Sequence, residues 1–213
     1  MSYVIDVTIF ILKGSIVTFE LYGLTAIFSV ILGVLGALGK ISSFKPLKRL
    51  LSLYTWVFRG TPLLLQLFFA YYGLPVIGVT LSPFGAATLT FILNYGAYFT
   101  EIFRGGIESI PGGQYEAAQV LGMNYYQTMS RIIIPQTIKR VLPPTSNEAI
   151  NLVKDSALVA AIGLGDLLRA AKVVVTRDFN ILPFVIAGIM YLIISSVIVN
   201  LFSWLERKYS VYE

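Results

Sequence analysis

The sequence predicts an all-α, polytopic membrane domain with about five transmembrane helices, and three observations carry that prediction. Of its 213 residues, 56% are hydrophobic and only 13% are charged, against about 45–50% and about 25% in soluble domains. Mean hydropathy is +0.78. The apolar residues also gather into runs close to the roughly 20 that a helix needs to cross a hydrocarbon core of about 30 Å.

The first run covers about residues 15–39, where Gly33, Gly36, Ala37 and Gly39 form a ridge of small residues. Such a ridge suits close helix packing in lipid, although glycine is also generally more frequent in membrane helices. The preceding MSYVIDVTIFILKG lacks the basic start and small-residue cleavage pattern of a secretory signal, and reads as the lead-in to a retained span. Residues 40–59 read as a basic loop and short connector. A second span is expected over about 60–77, with Pro62 tolerated in its first turn, and a third over about 84–104 after a Gly/Pro/Ser turn. A polar section, 105–140, separates it from a fourth span at about 141–163. A surface helix or loop, 165–178, leads to the fifth span, about 181–205, and a basic tail, ERKYSVYE, closes the chain. No internal repeat or shift in composition suggests a second domain.

Five spans place the termini on opposite sides of the membrane. Twelve of the 16 Lys and Arg residues fall in the 40–59 loop, the 104–154 region and the tail, leaving Lys13, Arg169, Lys172 and Arg177 on the other side. The positive-inside rule then puts the N-terminus outside and the C-terminus in the cytoplasm. The net charge of +5 is explained by these anchoring loops and needs no nucleic-acid partner. The absence of Cys and His excludes disulfides, Cys- or His-based metal sites and histidine general-base catalysis.

Residues 116–135, EAAQVLGMNYYQTMSRIIIP, form a polar, helix-prone island on the cytoplasmic side. Ala117, Ala118, Val120 and Leu121 suit a short helix, Gly122 permits the turn that ends it, and a second helix can start at Asn124. Tyr125, Met129, Ile132 and Ile133 offer an apolar side, while Gln127, Ser130 and Arg131 are polar. An amphipathic helix of this kind fits a groove on a partner protein or lies on lipid, and periodicity alone leaves both open.

The spacing of the island is more specific than its periodicity. Glu116-Ala117-Ala118, Gly122, Ile132, Ile134 and Pro135 resemble the EAA loop, E-A-A-x3-G-x9-I-x-L-P, of permease subunits of bacterial ABC importers, with Ile134 where that family usually has Leu. Two further stretches are similar to the polar amino-acid branch, the histidine/arginine/glutamine permeases. One is Phe58-Arg59-Gly60-Thr61-Pro62 continuing to Tyr72-Gly73-Leu74-Pro75; the other is Ala97-Tyr98 through Glu101 and Arg104 to Gly105-Gly106. Asn147-Glu148 followed by Lys154-Asp155-Ser156-Ala157-Leu158 resembles the branch's N-E…L-K-D-T-S-L run, with Ser156-Ala157 in place of Thr-Ser. The likeness covers about residues 15–205.

This resemblance implies a multi-pass protein of the bacterial plasma (inner) membrane, working with a second permease subunit, an extracytoplasmic amino-acid-binding protein and cytoplasmic ATPase subunits. The coupling residues it implies are Glu116, Ala117, Ala118, Gly122, Tyr125, Met129, Arg131, Ile132 and Pro135. The chain has no G-x-x-x-x-G-K-[ST] phosphate cradle, so the resemblance leaves ATP and Mg to the partner subunit and makes this chain a transport component and not an enzyme.

Candidate substrate residues follow from helical spacing. Asn147, Asn151 and Lys154 or Asp155 share one stripe of the fourth span, with Glu148 on a neighbouring face; Asn94, Tyr98 and Glu101 stripe the third. Ionisable groups at membrane depth cost roughly 2.5–3.5 kcal/mol each and normally face a bundle interior. Glu148, then Asp155, suits the α-amino group of an amino acid, while Asn94 or Asn151 suits its carboxylate. Against this, Lys154 and Asp155 can simply neutralise each other, Glu101 can pair with Arg104, and Arg59 can be a headgroup anchor. Glu20 has no evident partner. The expected function is a path for a polar amino acid, and an uncompensated acid in that path would favour a cationic side chain. The alternatives are an ion or small-solute channel without an ATPase and, less readily, an intramembrane hydrolase.

Overall fold

A computed structural model describes residues 2–209, all of whose regular structure is helical; the last four residues of the basic tail lie outside the described residues. Nine α-helices run in the order α1 (Ser2–Ile41), α2 (Lys45–Gly60), α3 (Leu63–Phe68), α4 (Pro83–Glu108), α5 (Gly112–Val120), α6 (Tyr125–Thr128), α7 (Ile134–Asp155), α8 (Leu167–Asp178) and α9 (Leu182–Tyr209). Two are long and apolar enough to cross a membrane alone, Tyr3–Ile41 and Leu182–Tyr209. The pair Lys45–Gly60 and Leu63–Ile77, bent by 105°, passes the same test as one broken span.

The first helix starts at Ser2 rather than near residue 15, because Gly14 does not interrupt it. A Cβ at Gly14 would lie 2.8 Å from Ala170 Cβ and 3.0 Å from the Asp166 carbonyl, so this glycine lets α8 press against α1. The 33–39 ridge serves the same purpose further along. A Cβ at Gly33 or Gly36 would overlap Phe99 or Thr100 of α4, and one at Gly39 would overlap Leu51 of α2. The two longest contacts of α1 are thus made through residues without side chains.

Residues 40–59, expected as a loop, are mostly the helix α2. Pro46 sits in its first turn, where no N–H is required. Its apolar side (Leu47, Leu51, Tyr54, Phe58) recurs at helical spacing, but Lys45, Lys48 and Arg49 lower the average hydropathy below that of a span. At Thr61-Pro62 the backbone turns extended, with Pro62 at φ −62° and ψ 135°. The chain then continues through α3, an i→i+5 turn at Phe69–Gly73 and a 3-10 turn at Leu74–Ile77.

The inner helix is α4, which packs along α1, α2, α3 and α7. It begins under a Ser82 cap that accepts from the Gly85 N–H at 3.1 Å. Leu21, Leu67, Phe91, Tyr95, Phe99 and Leu152 form the main core around it. α7 runs unbroken through Pro143-Pro144. Past Asp155 the helix tightens into a 3-10 turn over Ser156–Ile162, closed by Gly163 at φ 80°. The 165–178 segment is more than a surface element. Leu167, Ala171 and Val174 of α8 are buried with Val7 and Ile11 of α1 and Ile186 and Met190 of α9 in a second core, at the end of α1 opposite Lys40.

Candidate functional site

The break between α2 and α3 strands the last carbonyls of α2, and side chains from two helices recover them. Asn94 Nδ2 donates to the Phe58 carbonyl at 2.9 Å and to Gln66 Oε1 at 3.0 Å. Gln66 Nε2 donates to the Phe58 carbonyl at 2.9 Å and to Thr61. The amide knot holds the break open beside α4, and Asn94 is thereby a structural clamp as well as a wall residue.

Behind that break lies a cavity of about 640 Å³, bounded by Arg59, Gly60, Thr61 and Pro62 on one side, Asn94, Tyr95 and Tyr98 of α4 below, and Glu148, Asn151 and Asp155 of α7 across from them. Five of the six sequence candidates therefore meet in one space. The Tyr95 hydroxyl donates to Asp155 Oδ2 at 2.7 Å and fixes that carboxylate. The Arg59 guanidinium stacks over the Tyr98 ring, 5.4 Å from its centroid. Two carboxylates and one guanidinium share the walls, so the cavity presents an excess of acid together with four amide or phenol groups.

Glu101 stands apart from this cavity. It forms ion pairs with Lys40 and with Arg104, the latter at 2.7 Å, while Lys40 also donates to Thr55 at 3.0 Å. Arg104 continues the chain to Glu108. The group bolts the end of α1 to α2 and α4. Lys154 and Asp155 make no ion pair with each other among the described residues: Lys154 is exposed, and Asp155 turns inward to Tyr95. Asn147 and Asn151 share the exposed stripe of Lys154.

The 116–135 segment folds on its own small core. Ile110, Met129 and Ile133 are buried together, with Ile107, Tyr115 and Ile132 around them. Gly122, at φ 72°, ends α5, and the Met123 N–H reaches back to the Ala118 carbonyl at 3.0 Å. Asn124 and Gln127 cap α6 reciprocally, each bond 2.9 Å. Glu116, Ala117, Arg131 and Pro135 are exposed, whereas Ala118 and Met129 are buried. The apolar groups that stand out are Val120 (86% exposed), Leu121 (76%), Tyr125 (73%) and Tyr126 (79%). Sequence reasoning credited Met129 and Ile132 with an outward role and passed over Val120, Leu121 and Tyr126. Their signal was present: two large apolar residues directly before a helix-ending glycine, followed by a tyrosine pair.

Comparison with known proteins finds relatives over nearly the whole chain. Residues 29–211 fit the family described as binding-protein-dependent transport system inner membrane component. The arginine transport system permease protein ArtQ of Bacillus subtilis is 42% identical over 201 residues, 93% of this chain and 92% of that protein. The putative glutamine transport system permease protein GlnP of Rickettsia bellii is 37% identical over 202 residues, covering 94% and 93%. The L-cystine permease protein TcyB of Bacillus subtilis is 38% identical over 205 residues, covering 95% and 88%. Among solved structures, an amino acid ABC transporter with histidines superposes with a TM-score of 0.89 at 38% identity, over 97% of both chains. A methionine ABC transporter, MetNI, superposes at 0.80 with 18% identity over 94% of this chain and 96% of that one, a likeness of fold alone.

Proposed function

Because the chain belongs to the family of inner-membrane components of binding-protein-dependent transport systems, and within it to the amino-acid ABC permeases, we propose that it carries a polar amino acid, preferentially one with a cationic side chain, through the cavity between α4 and α7. A separate ATPase supplies the energy and docks on the 112–133 segment. The observation that carries this reading is the composition of the cavity wall: Glu148 and Asp155 against the single guanidinium of Arg59.

Glu148 is the proposed partner of the substrate's ammonium group, since Asp155 already accepts from Tyr95. Asn151 and the peptide groups at the Gly60–Pro62 break supply partners for the carboxylate, and Tyr98 with Arg59 forms the side wall. Asn94 contributes by holding the break. Glu101 is left out of the substrate set, because Lys40 and Arg104 already occupy it.

On the coupling side, Val120, Leu121, Tyr125 and Tyr126 are the groups offered to the ATPase, with Glu116 and Arg131 at the polar rim. Gly122 sets the angle between α5 and α6, and Pro135 marks where the segment joins α7. Because that join is continuous helix, a displacement of the docked segment moves α7, and with it Glu148 and Asp155. The five-span arrangement with its N-terminus outside fits this assignment, since the coupling segment then shares a side with most of the Lys and Arg residues. A pairing of two permease chains would bury the exposed stripe of Asn147, Asn151 and Lys154. Membership of the binding-protein-dependent permease family favours this reading over an ion or small-solute channel.

The direct test is Glu148→Gln in the complex reconstituted with its ATPase and binding protein. Uptake of labelled arginine into liposomes is expected to fall at least tenfold, about 1.4 kcal/mol or more, with the ATPase still copurifying. Wild-type uptake by this variant would remove Glu148 from the path.

A further inference from the structure

Of the two acids that α7 brings to the cavity wall, one is tied across to α4. Glu148 and Asp155 both line the space, seven residues and so roughly 10 Å apart along the helix axis. Asp155 accepts the Tyr95 hydroxyl through Oδ2 at 2.7 Å, and its Oδ1 takes no hydrogen bond among the described residues. The two carboxylates are thereby kept as separate points, an arrangement that suits a molecule with a positive group at each end.

The donor is itself immobile. Tyr95 is 2% exposed, its ring belongs to the main core with Leu21, Phe99 and Leu152, and it stacks on Phe91 with centroids 6.4 Å apart. A ring packed at interior density does not swing aside, so its hydroxyl marks a fixed point on the inner helix. Asp155 has no such support of its own. It stands at the last position of α7, where the helix passes into the 3-10 turn, and its chain neighbour Lys154 is exposed. A carboxylate released from Tyr95 has that ammonium, away from the cavity, to turn to.

We propose that Tyr95 is a positioning residue for substrate recognition: by occupying one oxygen of Asp155 it aims the other into the cavity, and so sets the preference for a cationic side chain. This rests on the transport reading above and adds the residue that makes the cavity selective. With the substrate's ammonium group on Glu148, its side-chain cation meets Oδ1 of Asp155. An acceptor held in place beforehand needs no reorganisation when the cation arrives, and a planar guanidinium gains most from an oxygen of fixed direction. A substrate of the same shape without charge at that end gains only an ordinary hydrogen bond. Tyr95 acts through Asp155 because its own hydroxyl hydrogen is already given, and at 2% exposure it offers a solute almost no surface.

The test is equilibrium binding to the permease–ATPase complex in nanodiscs, without the binding protein, so that the selectivity of that protein does not enter. The probes are labelled arginine and labelled citrulline, which has the same shape with a neutral end group. Tyr95→Phe removes one oxygen and keeps the ring in the core, and copurification of the ATPase checks assembly. The Kd for arginine is expected to rise roughly tenfold more than the Kd for citrulline, the size of one hydrogen bond to a charged group. Asp155→Asn should shift the preference in the same direction, and adding Tyr95→Phe to it should shift the preference no further, since residues that act as a unit are not additive. An equal loss for both amino acids overturns the proposal, because a packing role alone weakens both. A wild-type preference in Tyr95→Phe overturns it as well, and so do additive effects in the double variant, which would make Tyr95 a direct contact. If the wild-type complex binds neither amino acid, or both equally, the transport reading itself fails and this inference with it.

Discussion

Between α4 and α7 the polar side chains point inward and find partners, while on the α5–α6 segment it is the apolar side chains that stand clear of the fold with none. Asn94 is 5% exposed and bonded twice, and Asp155 accepts from Tyr95. Val120 and Leu121 are more exposed than Leu192 (68%) or Val197 (62%) of α9, which belong to an apolar span. Exposure of a large hydrophobe is thus ordinary on α9, where lipid covers it, and exceptional on a segment that a row of polar residues keeps out of the bilayer. On the proposed reading, one region hides polarity to guide a solute and the other displays apolar surface to receive a protein.

The comparison breaks first if the display is abolished. Leu121→Asp is expected to reduce ATPase copurification tenfold or more, in keeping with the ~2 kcal/mol or greater cost of losing a central interface anchor, while membrane insertion stays normal. Full recovery of the ATPase with this variant would show that the apolar knob is not the docking face. A next, smaller effect is expected from Gly122→Val. The left-handed backbone at that residue costs a β-branched side chain about 1–2 kcal/mol, so the angle between α5 and α6 shifts. Uptake per ATP hydrolysed should fall several-fold with the complex still assembled.

The hidden polarity is probed by Asn94→Ala. It leaves Gln66 alone to serve the Phe58 carbonyl and should cost about 1–3 kcal/mol, read as a lower melting temperature of the purified complex. Glu101→Gln should also lower that temperature without changing the KM for substrate, since it loosens the bolt to Lys40 and not the cavity.

The smallest effect concerns the corner that joins α8 to α1. Hydrogen bonds from Arg177 and then Tyr3 hold the Asp178 carboxyl down at about 2. A carboxylate lowered on folding contributes stability that is whole above its unfolded value, near 3.8, and lost as pH falls through the folded one. Wild type should therefore lose a small increment of thermal stability between about pH 4 and pH 2 that Asp178→Asn does not show.

Much of the cavity was legible in the sequence because helical period is local. Asn151 and Asp155 declare a shared side of one helix with Glu148 on a neighbouring face, as Asn94 and Tyr98 share a side of another, and polar residues in an apolar span demand an interior. What was not legible depends on contacts between distant residues. Nothing in the spacing says that Tyr95 reaches Asp155, that Gln66 and Asn94 tie off the α2–α3 break, or that Lys40 claims Glu101 across 61 positions. The helix α2 escaped because its lysines and arginine mask an apolar side from any average over the window. The exposed apolar knob escaped for the opposite reason: Met129 and Ile133 look as presentable as Leu121 until the small core they form with Ile110 is seen.

The most direct measurement is arginine uptake by liposomes holding the complete complex, compared for wild type, Glu148→Gln and Leu121→Asp, with ATPase retention scored on the same samples. Transport lost in both, with the ATPase retained at wild-type level in Glu148→Gln and released in Leu121→Asp, is the predicted result. Normal uptake through Glu148→Gln, or loss of the ATPase from it, would contradict a division between a transport cavity on α7 and a docking surface on α5–α6.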